Sequence, residues 1–319
     1  MIDRRVMVMI AGRIGGALLT LVLLSLVVFA MSLMMGGDAA EAMLGQNATP
    51  EALAGLRSAM HLDQPAWQRY LLWLWGLAHG DLGTSMVSKL PVSTLLAPRL
   101  LASLQLAGLT ALVSVPVALS LGIVAAVRRG TWIDRVISMA TIGIVSVPEF
   151  VIATLMVLLF AVRLHWLPAL SSSRDFSSLH DVVRVFAMPV ICLSCVVVAQ
   201  MIRMTRAAVC DALDSSYVEA ARLKGVSPRR LVLGHALPNA IGPIVNAVAL
   251  SLSVLLGGVI IIEVIFNYPG VARLMVDAVS TRDLPLIQTV AMIFSAAYLI
   301  LVTGADIVGI LCNPRLRYR

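Results

Sequence analysis

The sequence predicts an all-α membrane protein with six transmembrane helices and both termini in the cytoplasm. Of its 319 residues, 60% are hydrophobic and 13% are charged, and the mean hydropathy is +0.95. Six stretches with at most one charged residue each approach or exceed the roughly 20 residues that cross the hydrocarbon core as a helix. Lysine and arginine lie mainly on one side of these stretches, which sets their orientation. This composition excludes a soluble globular domain of this size.

The six predicted spans cover residues 14–37, 100–127, 136–162, 185–202, 236–262 and 284–305. The first is too long for the apolar part of a cleaved signal peptide, so we count it as a span although arginines precede it. The segments predicted to be cytoplasmic, 1–13, 128–135, 203–235 and 312–319, hold 15 of the 24 Lys and Arg residues. These arginines place both termini inside, and they explain the net charge of +7 without a nucleic-acid partner.

The long segment 38–98 predicts a small helical region on the outer side. Thr49-Pro50-Glu51 has the N-cap, first-turn proline and first-turn acid typical of a helix start. A second helix is predicted from near Asp63-Gln64-Pro65 to Gly80, and it carries four aromatic residues, Trp67, Tyr70, Trp73 and Trp75. These suit the membrane–water boundary, and packing on neighbouring spans is an equally good interpretation. The chain therefore divides into the first span with this outer region, 1–98, and a five-helix core, 99–319.

The predicted cytoplasmic segment 214–238 is expected to form two short helices joined by a sharp elbow. Ser216 and Glu219 have capping-box spacing, and Gly225 fits the left-handed residue that ends a helix. Ser227-Pro228 then supplies the N-cap and first residue of a second helix. Such a basic projection needs a partner. The alternative is that Glu219 only caps a helix and the arginines only set the orientation.

At this segment the sequence resembles the EAA motif of ABC importer permeases. The match consists of Glu219-Ala220-Ala221, of Gly225 after three further residues, and of Leu237-Pro238, while His235 departs from the isoleucine of the general pattern. In that family the motif forms the coupling helices that sit in a groove of the ATPase subunit. The resemblance therefore implies an ATPase-coupling role for Tyr217, Glu219, Ala220, Ala221, Gly225, Leu237 and Pro238.

Further motifs narrow the resemblance to the dipeptide, oligopeptide and nickel branch of this family. Residues 62–86 look like the outer segment of that branch, whose mark is a GDLGxS run, here Gly80 to Ser85. Ser146-x-Pro148-x-Phe150 and Glu263-x-x-Phe266 followed by Pro269-Gly270 are further branch features. The N-terminal span with its outer region resembles the first of the two permease subunits of that branch, and the implied fold is that of a type I ABC importer permease.

The resemblance implies a permease subunit of an ATP-driven importer that moves dipeptides or oligopeptides across the inner membrane. Nickel, another metal chelate and glycosides are alternative substrates within the same family. The implied partners are a second homologous permease, two cytoplasmic ABC ATPases and a periplasmic or lipid-anchored solute-binding protein, besides membrane lipid. The chain has no GxxxxGK[ST] phosphate loop, so it is expected not to be an enzyme and to bind no cofactor, while partner subunits use ATP and Mg.

Two acidic residues are candidates for the translocation path. Glu149 follows Pro148 in mid-span, where a charge is costly. Either it contacts a cationic group or bound metal in the cavity, or the helix breaks at Pro148 and Glu149 reaches a water-filled vestibule without touching ligand. Glu263, near the outer end of the fifth span, is interpreted as part of the outer gate, with a capping or loop-anchoring role as the alternative. The full set of path and gate candidates is Pro148, Glu149, Phe150, Glu263, Pro269 and Gly270.

Other classes of site and protein are less well supported by the sequence. Cys192 and Cys195 form a CxxC without a second pair or a histidine at ligand spacing, so packing is expected and a metal site is not. An ion-gradient-driven secondary transporter would show internal repeats and paired intramembrane acids. A membrane-bound enzyme would show clustered His, Asp or Cys residues. We find neither pattern in the sequence.

Overall fold

The computed structural model describes residues 4–34, 49–51, 54–55, 64–171 and 178–312, which are predominantly helical. Numbered in chain order, the helices are α1 (Arg4–Met34), α2 (Ala66–Ala78), α3 (Val92–Val127), α4 (Trp132–Val145), α5 (Glu149–Met156, continued as a π-helix over Val157–Arg163), α6 (Leu179–Leu213), α7 (Ser216–Leu223), α8 (Pro228–Leu231, continued as a π-helix over Val232–Ala236), α9 (Leu237–Ile265), α10 (Val271–Thr281) and α11 (Leu284–Cys312). Following the predicted orientation, we call the end that holds α2 and α10 the outer end and the end that holds α7 and α8 the inner end.

The predicted six-span membrane fold is confirmed. Five helices are long and apolar enough to cross a membrane, and α4 with α5 forms a sixth span that is bent by 94°. Several helices exceed the charge-free stretches, because charged residues continue the helix into the polar boundary of the membrane. The helix α6, for example, runs to Leu213, beyond Arg203 and Arg206.

The third predicted span, 136–162, is not a continuous helix. The chain leaves α4 at Ser146, and Pro148 has extended backbone angles as the N-cap of α5. Proline disfavours helical geometry in the residue before it, which explains why the break lies here. The helix break that the sequence analysis gave as one alternative for Glu149 is therefore observed, and Glu149 is the first residue of α5.

The centre of the fold is the close crossing of α3 and α6. A Cβ atom at Gly122 on α3 would lie 2.8 Å from the Cβ atom of Thr205 on α6, so only glycine fits without displacement. Nearby, the buried hydroxyl of Ser114 donates to the hydroxyl of Ser194 at 2.9 Å. Small residues let membrane helices approach closely, which is the packing seen here. The apolar core around this crossing includes Leu106, Met188, Leu193, Met201, Ile262 and Phe266.

The first span packs against α11 and leaves most of its apolar surface exposed. The Gln288 side-chain amide donates to the hydroxyl of Ser32 at 2.6 Å near the outer end. Arg13 pairs with Asp306 at 3.0 Å near the inner end. Exposed large apolar side chains cover the remaining surface of α1, such as Leu19 at 62% and Met31 at 62% exposure. These two polar links hold α1 on α11, while the rest of its surface is suited to lipid.

The outer region agrees with its predicted helix starts. Residues 50 and 51 are helical after Thr49, and the rest of that predicted helix lies partly outside the described residues. The second predicted helix is α2, Ala66–Ala78. The packing interpretation of its aromatic residues is observed for two of the four side chains. Tyr70 and Trp73 pack on Phe29 of α1, with ring centroids 5.4 and 5.9 Å away, whereas Trp67 and Trp75 are exposed.

Candidate functional site

The predicted elbow is present at the inner end of the bundle. Helix α7 ends at Leu223, and Gly225 has a φ of +78°, the left-handed conformation that glycine adopts without a steric penalty. The Gly225 N–H donates to the Arg222 carbonyl, and the Val226 N–H donates to the Ala221 carbonyl, which closes the helix end. Ser227 is the extended N-cap of α8 and Pro228 occupies its first turn. The predictions for these three residues are confirmed.

The predicted capping box at Ser216 and Glu219 is wrong. Ser215 is the N-cap of α7, and its carbonyl accepts from the Glu219 N–H at 3.1 Å. The Ser215 hydroxyl donates to the Ala212 carbonyl near the end of α6, so it does not cap α7. The boundary therefore lies one residue earlier than predicted, because Ser215 joins two helices and its hydroxyl satisfies the earlier one.

The elbow has a buried face and an exposed face. Val218 of α7, Leu231 of α8 and Ala236 are buried together, with Leu213 at the end of α6 packed against them. Ala221 is also buried, so one alanine of the motif faces inward. The opposite face is exposed and contains Tyr217, Glu219, Ala220, Arg222, Leu223, Lys224, Arg229 and Arg230. Leu223 is 84% exposed, an unusual position for a large apolar side chain on a polar surface.

The elbow leads directly into a long spanning helix. Leu237 starts α9 directly after the π-helical turn Val232–Ala236, and Pro238 lies in the first turn of α9. Leu237 packs against a buried cluster formed by Ala126 of α3, Val209 and Cys210 of α6, and Ala240 of α9. The end of the motif therefore ties the elbow to three spanning helices.

An ion pair next to the elbow was not found by sequence reasoning. Asp134 of α4 accepts two hydrogen bonds from the Arg206 guanidinium of α6, at 2.7 and 2.9 Å, and a third from the Gly130 N–H at 3.0 Å. The Asp134 residue is 5% exposed. This two-point contact fixes α4 relative to α6. The sequence signal for this ion pair was Asp134 itself, an acid in the otherwise basic segment 128–135. Its partner Arg206 lies 72 residues away and was not indicated by any local pattern.

A second, exposed pair lies nearby. Arg129 donates to Asp214 at 2.7 Å, and this carboxylate raises the pKa of the Arg129 guanidinium. Both side chains are more than half exposed, so the pair contributes little to stability. It nevertheless links the loop before α4 to the junction between α6 and the elbow.

At the outer end, Glu263 in the last turn of α9 is fully buried and hydrogen-bonded. Its carboxylate accepts from the Ser103 hydroxyl of α3 and from the Arg273 N–H in the first turn of α10, the latter at 3.0 Å. The Ser103 hydroxyl also accepts from the Val271 N–H at 2.8 Å. Negative groups at a helix N-terminus satisfy free N–H groups and the helix dipole. The geometry thus shows the capping and anchoring contacts that were one alternative for Glu263.

The residues that follow Glu263 complete this outer corner. A Cβ atom at Gly270 would overlap the Glu263 carboxylate, so this position has no room for a side chain. Pro269 directly precedes Gly270, the extended N-cap of α10. The Tyr268 hydroxyl donates to the Ala102 carbonyl of α3 at 2.8 Å, and the Phe266 ring is fully buried. The motif therefore fastens the turn between α9 and α10 to α3.

The GDLGxS run forms a compact loop on the same corner. Gly80 and Gly83 have φ values of +82° and +75°, which glycine permits. The Ser85 hydroxyl and the Met86 N–H both donate to the carboxylate of Asp283, which is 1% exposed in the turn between α10 and α11. Sequence reasoning identified the run but missed Asp283. The only signal was an acid just before the last span.

Glu149 lies at neither end of this arrangement. It is half-buried in the first turn of α5, a helix that packs against α6 and α9, and the neighbouring Phe150 is 53% exposed. The candidate residues thus form three groups: the elbow, the outer corner and the α4–α5 break. The elbow and the outer corner lie at opposite ends of α9, and the structure does not bring Glu149 into contact with either.

Two ranges of the chain match families of known proteins. Residues 118–318 match the family described as binding-protein-dependent transport system inner membrane component, and residues 6–106 match its N-terminal family. The glutathione transport system permease protein GsiC of Escherichia coli O6:H1 is 35% identical over 307 residues, 96% of this chain and 98% of that protein. The GsiC proteins of Escherichia coli K12 and Salmonella choleraesuis are 34% and 36% identical, with the same shares of each chain covered.

Proposed function

Because the chain belongs to the family of binding-protein-dependent transport system inner membrane components, and is therefore an ABC importer permease, we propose that it imports short peptides. Its relatives are named as glutathione permeases, and glutathione is a tripeptide. Membership of this family rules out the ion-gradient-driven secondary transporter that the sequence analysis considered as an alternative. Peptides are favoured over nickel, metal chelates and glycosides, because the names of these similar proteins point to a peptide-type solute.

The partners in this proposal are a second permease, two cytoplasmic ATPases and a solute-binding protein. The observation that carries it is the elbow: its exposed face joins basic side chains to a small patch formed by Ala220 and Leu223. A small residue allows close approach of another helix or groove, and an exposed leucine gains from burial in it. The coupling role of Tyr217 and Glu219 on the same face is part of this proposal.

The contacts of the elbow suit it to pass a displacement of α7 on to the spanning helices. Its inner face packs on the end of α6, and its exit is the start of α9, so a push on α7 reaches both helices. Closure of the ATPases around ATP would shift the population between inward-open and outward-open states through their different contacts with the elbow. Glu263, Pro269 and Gly270 would then hold the outer gate in register at the far end of α9.

A variant of Gly225 tests the coupling role. Gly225→Val should abolish the stimulation of ATP hydrolysis by loaded binding protein, because a β-branched residue does not tolerate a φ of +78°. Gly225→Asn is the matched control, since asparagine adopts this conformation more readily. Glu219→Arg should give the same loss with an intact fold. Membrane insertion and subunit assembly are measured alongside, and normal stimulation in both loss variants would contradict the coupling assignment.

The partners and the cargo are tested separately. Co-purification from mild detergent with mass spectrometry should recover a second permease and P-loop ATPases, together with vanadate-sensitive ATP hydrolysis. Uptake of a labelled tripeptide into vesicles should then be inhibited by unlabelled di- and tripeptides and not by a nickel complex or a glycoside. Inhibition only by the nickel complex or the glycoside would refute the peptide proposal and leave the ABC class intact.

A further inference from the structure

A cavity at the outer end lies between α1, α2 and α11 and borders the outer corner at Met86. Its volume is about 200 Å³, and its lining includes Phe29, Ser32, Arg69, Leu72, Trp73 and Gln288. This is smaller than the roughly 300–1,000 Å³ of sites that enclose drug-sized ligands. The cavity therefore fits one small group of a ligand whose remainder lies outside it.

Arg69 supplies a positive charge to this cavity. Its side chain is half-buried, and within the described residues its guanidinium has no hydrogen bond or ion pair. Four arginines in the described ranges pair with carboxylates, namely Arg13, Arg129, Arg206 and Arg273, so Arg69 is one of the arginines there whose charge is left for a partner outside this chain. A partly desolvated guanidinium favours an anionic partner, and its fork of donors matches a phosphate.

The lining also contains buried polar groups. Ser32 and Gln288 are each 8% exposed, and the Gln288 amide donates to the Ser32 hydroxyl at 2.6 Å. The Ser32 hydroxyl in turn donates to the Phe29 carbonyl at 2.7 Å. This arrangement leaves the second N–H of the Gln288 amide for a ligand oxygen. The cavity thus combines one cation with a neutral donor.

The surroundings of the cavity are those of the membrane boundary. The Trp73 ring forms one wall, and aromatic rings with a polar edge are typical of this depth. Leu33 and Leu72 line the cavity and are 45% and 57% exposed. The apolar surface of α1 continues from Leu33 towards the membrane centre. A free anion would use Arg69 alone, whereas a lipid would use both the charge and this apolar surface.

We propose that this cavity binds the phosphate group of an outer-leaflet phospholipid, with Arg69 as its ion partner and the acyl chains on the apolar surface of α1. The lipid would bridge α1, α2 and α11, which are otherwise joined here by few polar contacts. None of the candidate path and gate residues lines this cavity.

Native mass spectrometry of the whole transporter with its partner subunits tests the site. Wild-type complex in mild detergent should retain phospholipid, and Arg69→Gln should retain roughly tenfold less, as expected for a lost hydrogen bond to a charged group. Arg69→Lys should keep most of the lipid. Arg184→Gln is the matched control, because Arg184 is exposed near the outer end of α6 and does not line the cavity.

A second measurement separates a lipid from a free anion. Delipidated complex is titrated with short-chain phosphatidylglycerol or with inorganic phosphate, and its thermal midpoint is followed. Stabilisation by the lipid alone, lost in Arg69→Gln, supports the proposal. Equal stabilisation by inorganic phosphate, or equal lipid retention in Arg69→Gln and wild type, overturns it. A raised KM for peptide in Arg69→Gln with unchanged lipid content would make the cavity a cargo site and also overturns it.

Discussion

Gly270→Ala should destabilise the outer corner strongly, by more than the usual loss on replacing a glycine by alanine at an N-cap. The reason is space and not backbone conformation, since Gly270 has a φ of −97° that any residue adopts. The added methyl group would overlap the Glu263 carboxylate, which must then leave its position. Glu263 is fully buried, so water cannot replace the hydrogen bonds that its displaced carboxylate would lose.

The cost follows from the contacts that this carboxylate makes. It accepts hydrogen bonds from the Ser103 hydroxyl and the Arg273 N–H. A hydrogen bond to a charged group contributes about 1.5–3 kcal/mol, so losing both should lower the free energy of unfolding by about 3–6 kcal/mol. Leaving a buried charge without its partners costs a similar amount, about 3–5 kcal/mol.

Unfolding can be followed with a thiol-reactive fluorophore on the assembled transporter. In a variant in which Cys312 and the half-buried Cys195 are replaced by serine, Cys192 and Cys210 remain, and because both are buried they react only when the bundle opens. Gly304→Ala is the matched control: a Cβ atom at Gly304 in α11 meets nothing within 4 Å, and the change should be neutral or stabilising by up to about 1 kcal/mol.

A double-mutant cycle identifies the cause. Glu263→Ala removes the group that the new methyl would strike, so Gly270→Ala should cost much less in that background, with a coupling of a few kcal/mol. If the free energy of unfolding of Gly270→Ala lies within about 1 kcal/mol of that of Gly304→Ala, the packing described for the outer corner is refuted.

Three further predictions concern the other contacts. Asp134→Asn should lower the free energy of unfolding by about 2–3 kcal/mol, which is less than for a fully buried ion pair because Arg206 is partly exposed. Asp214→Asn, in the exposed ion pair, should lower it by under about 1 kcal/mol, and equal effects of the two variants would contradict this difference. Ser85→Ala leaves the buried Asp283 carboxylate short of a donor and should cost about 1–3 kcal/mol, with faster proteolysis of the loop 80–91 than in the exposed control Thr94→Ala. Glu149→Gln should change uptake of cationic peptides more than of neutral ones, and equal effects on both would argue against a ligand contact.

The sequence was sufficient where the determining signals lie close together in the chain. The spans follow from runs of apolar residues, and the elbow follows from Gly225 and Ser227-Pro228, whose local preferences act over a few residues. The capping box failed by one residue, because Ser215 and Ser216 are chemically equal candidates. The end of α6 determines which serine becomes the N-cap of α7, because the Ser215 hydroxyl donates to the Ala212 carbonyl there, and the local sequence pattern does not contain this contact.

The contacts that fasten the helices together were not predictable in the same way. The donor and acceptor residues of Asp134–Arg206 and Ser85–Asp283 are 72 and 198 positions apart. Nothing in a single sequence pairs such residues, since each is also an acceptable surface residue by itself. The bend of 94° at Pro148 has the same origin: proline explains where the helix breaks, but packing on α6 and α9 sets the angle.

These contacts connect the inner and outer ends of the bundle through α9. This helix starts at Leu237, directly after the elbow, and its last turn carries Glu263. At 1.5 Å per residue its 29 residues extend about 43 Å, enough to cross the membrane. Its inner end is packed on α3 and α6, and its outer end is hydrogen-bonded to α3 and α10. In the mechanism proposed above, a displacement of the elbow therefore reaches the outer corner through one helix and not through a chain of side-chain rearrangements.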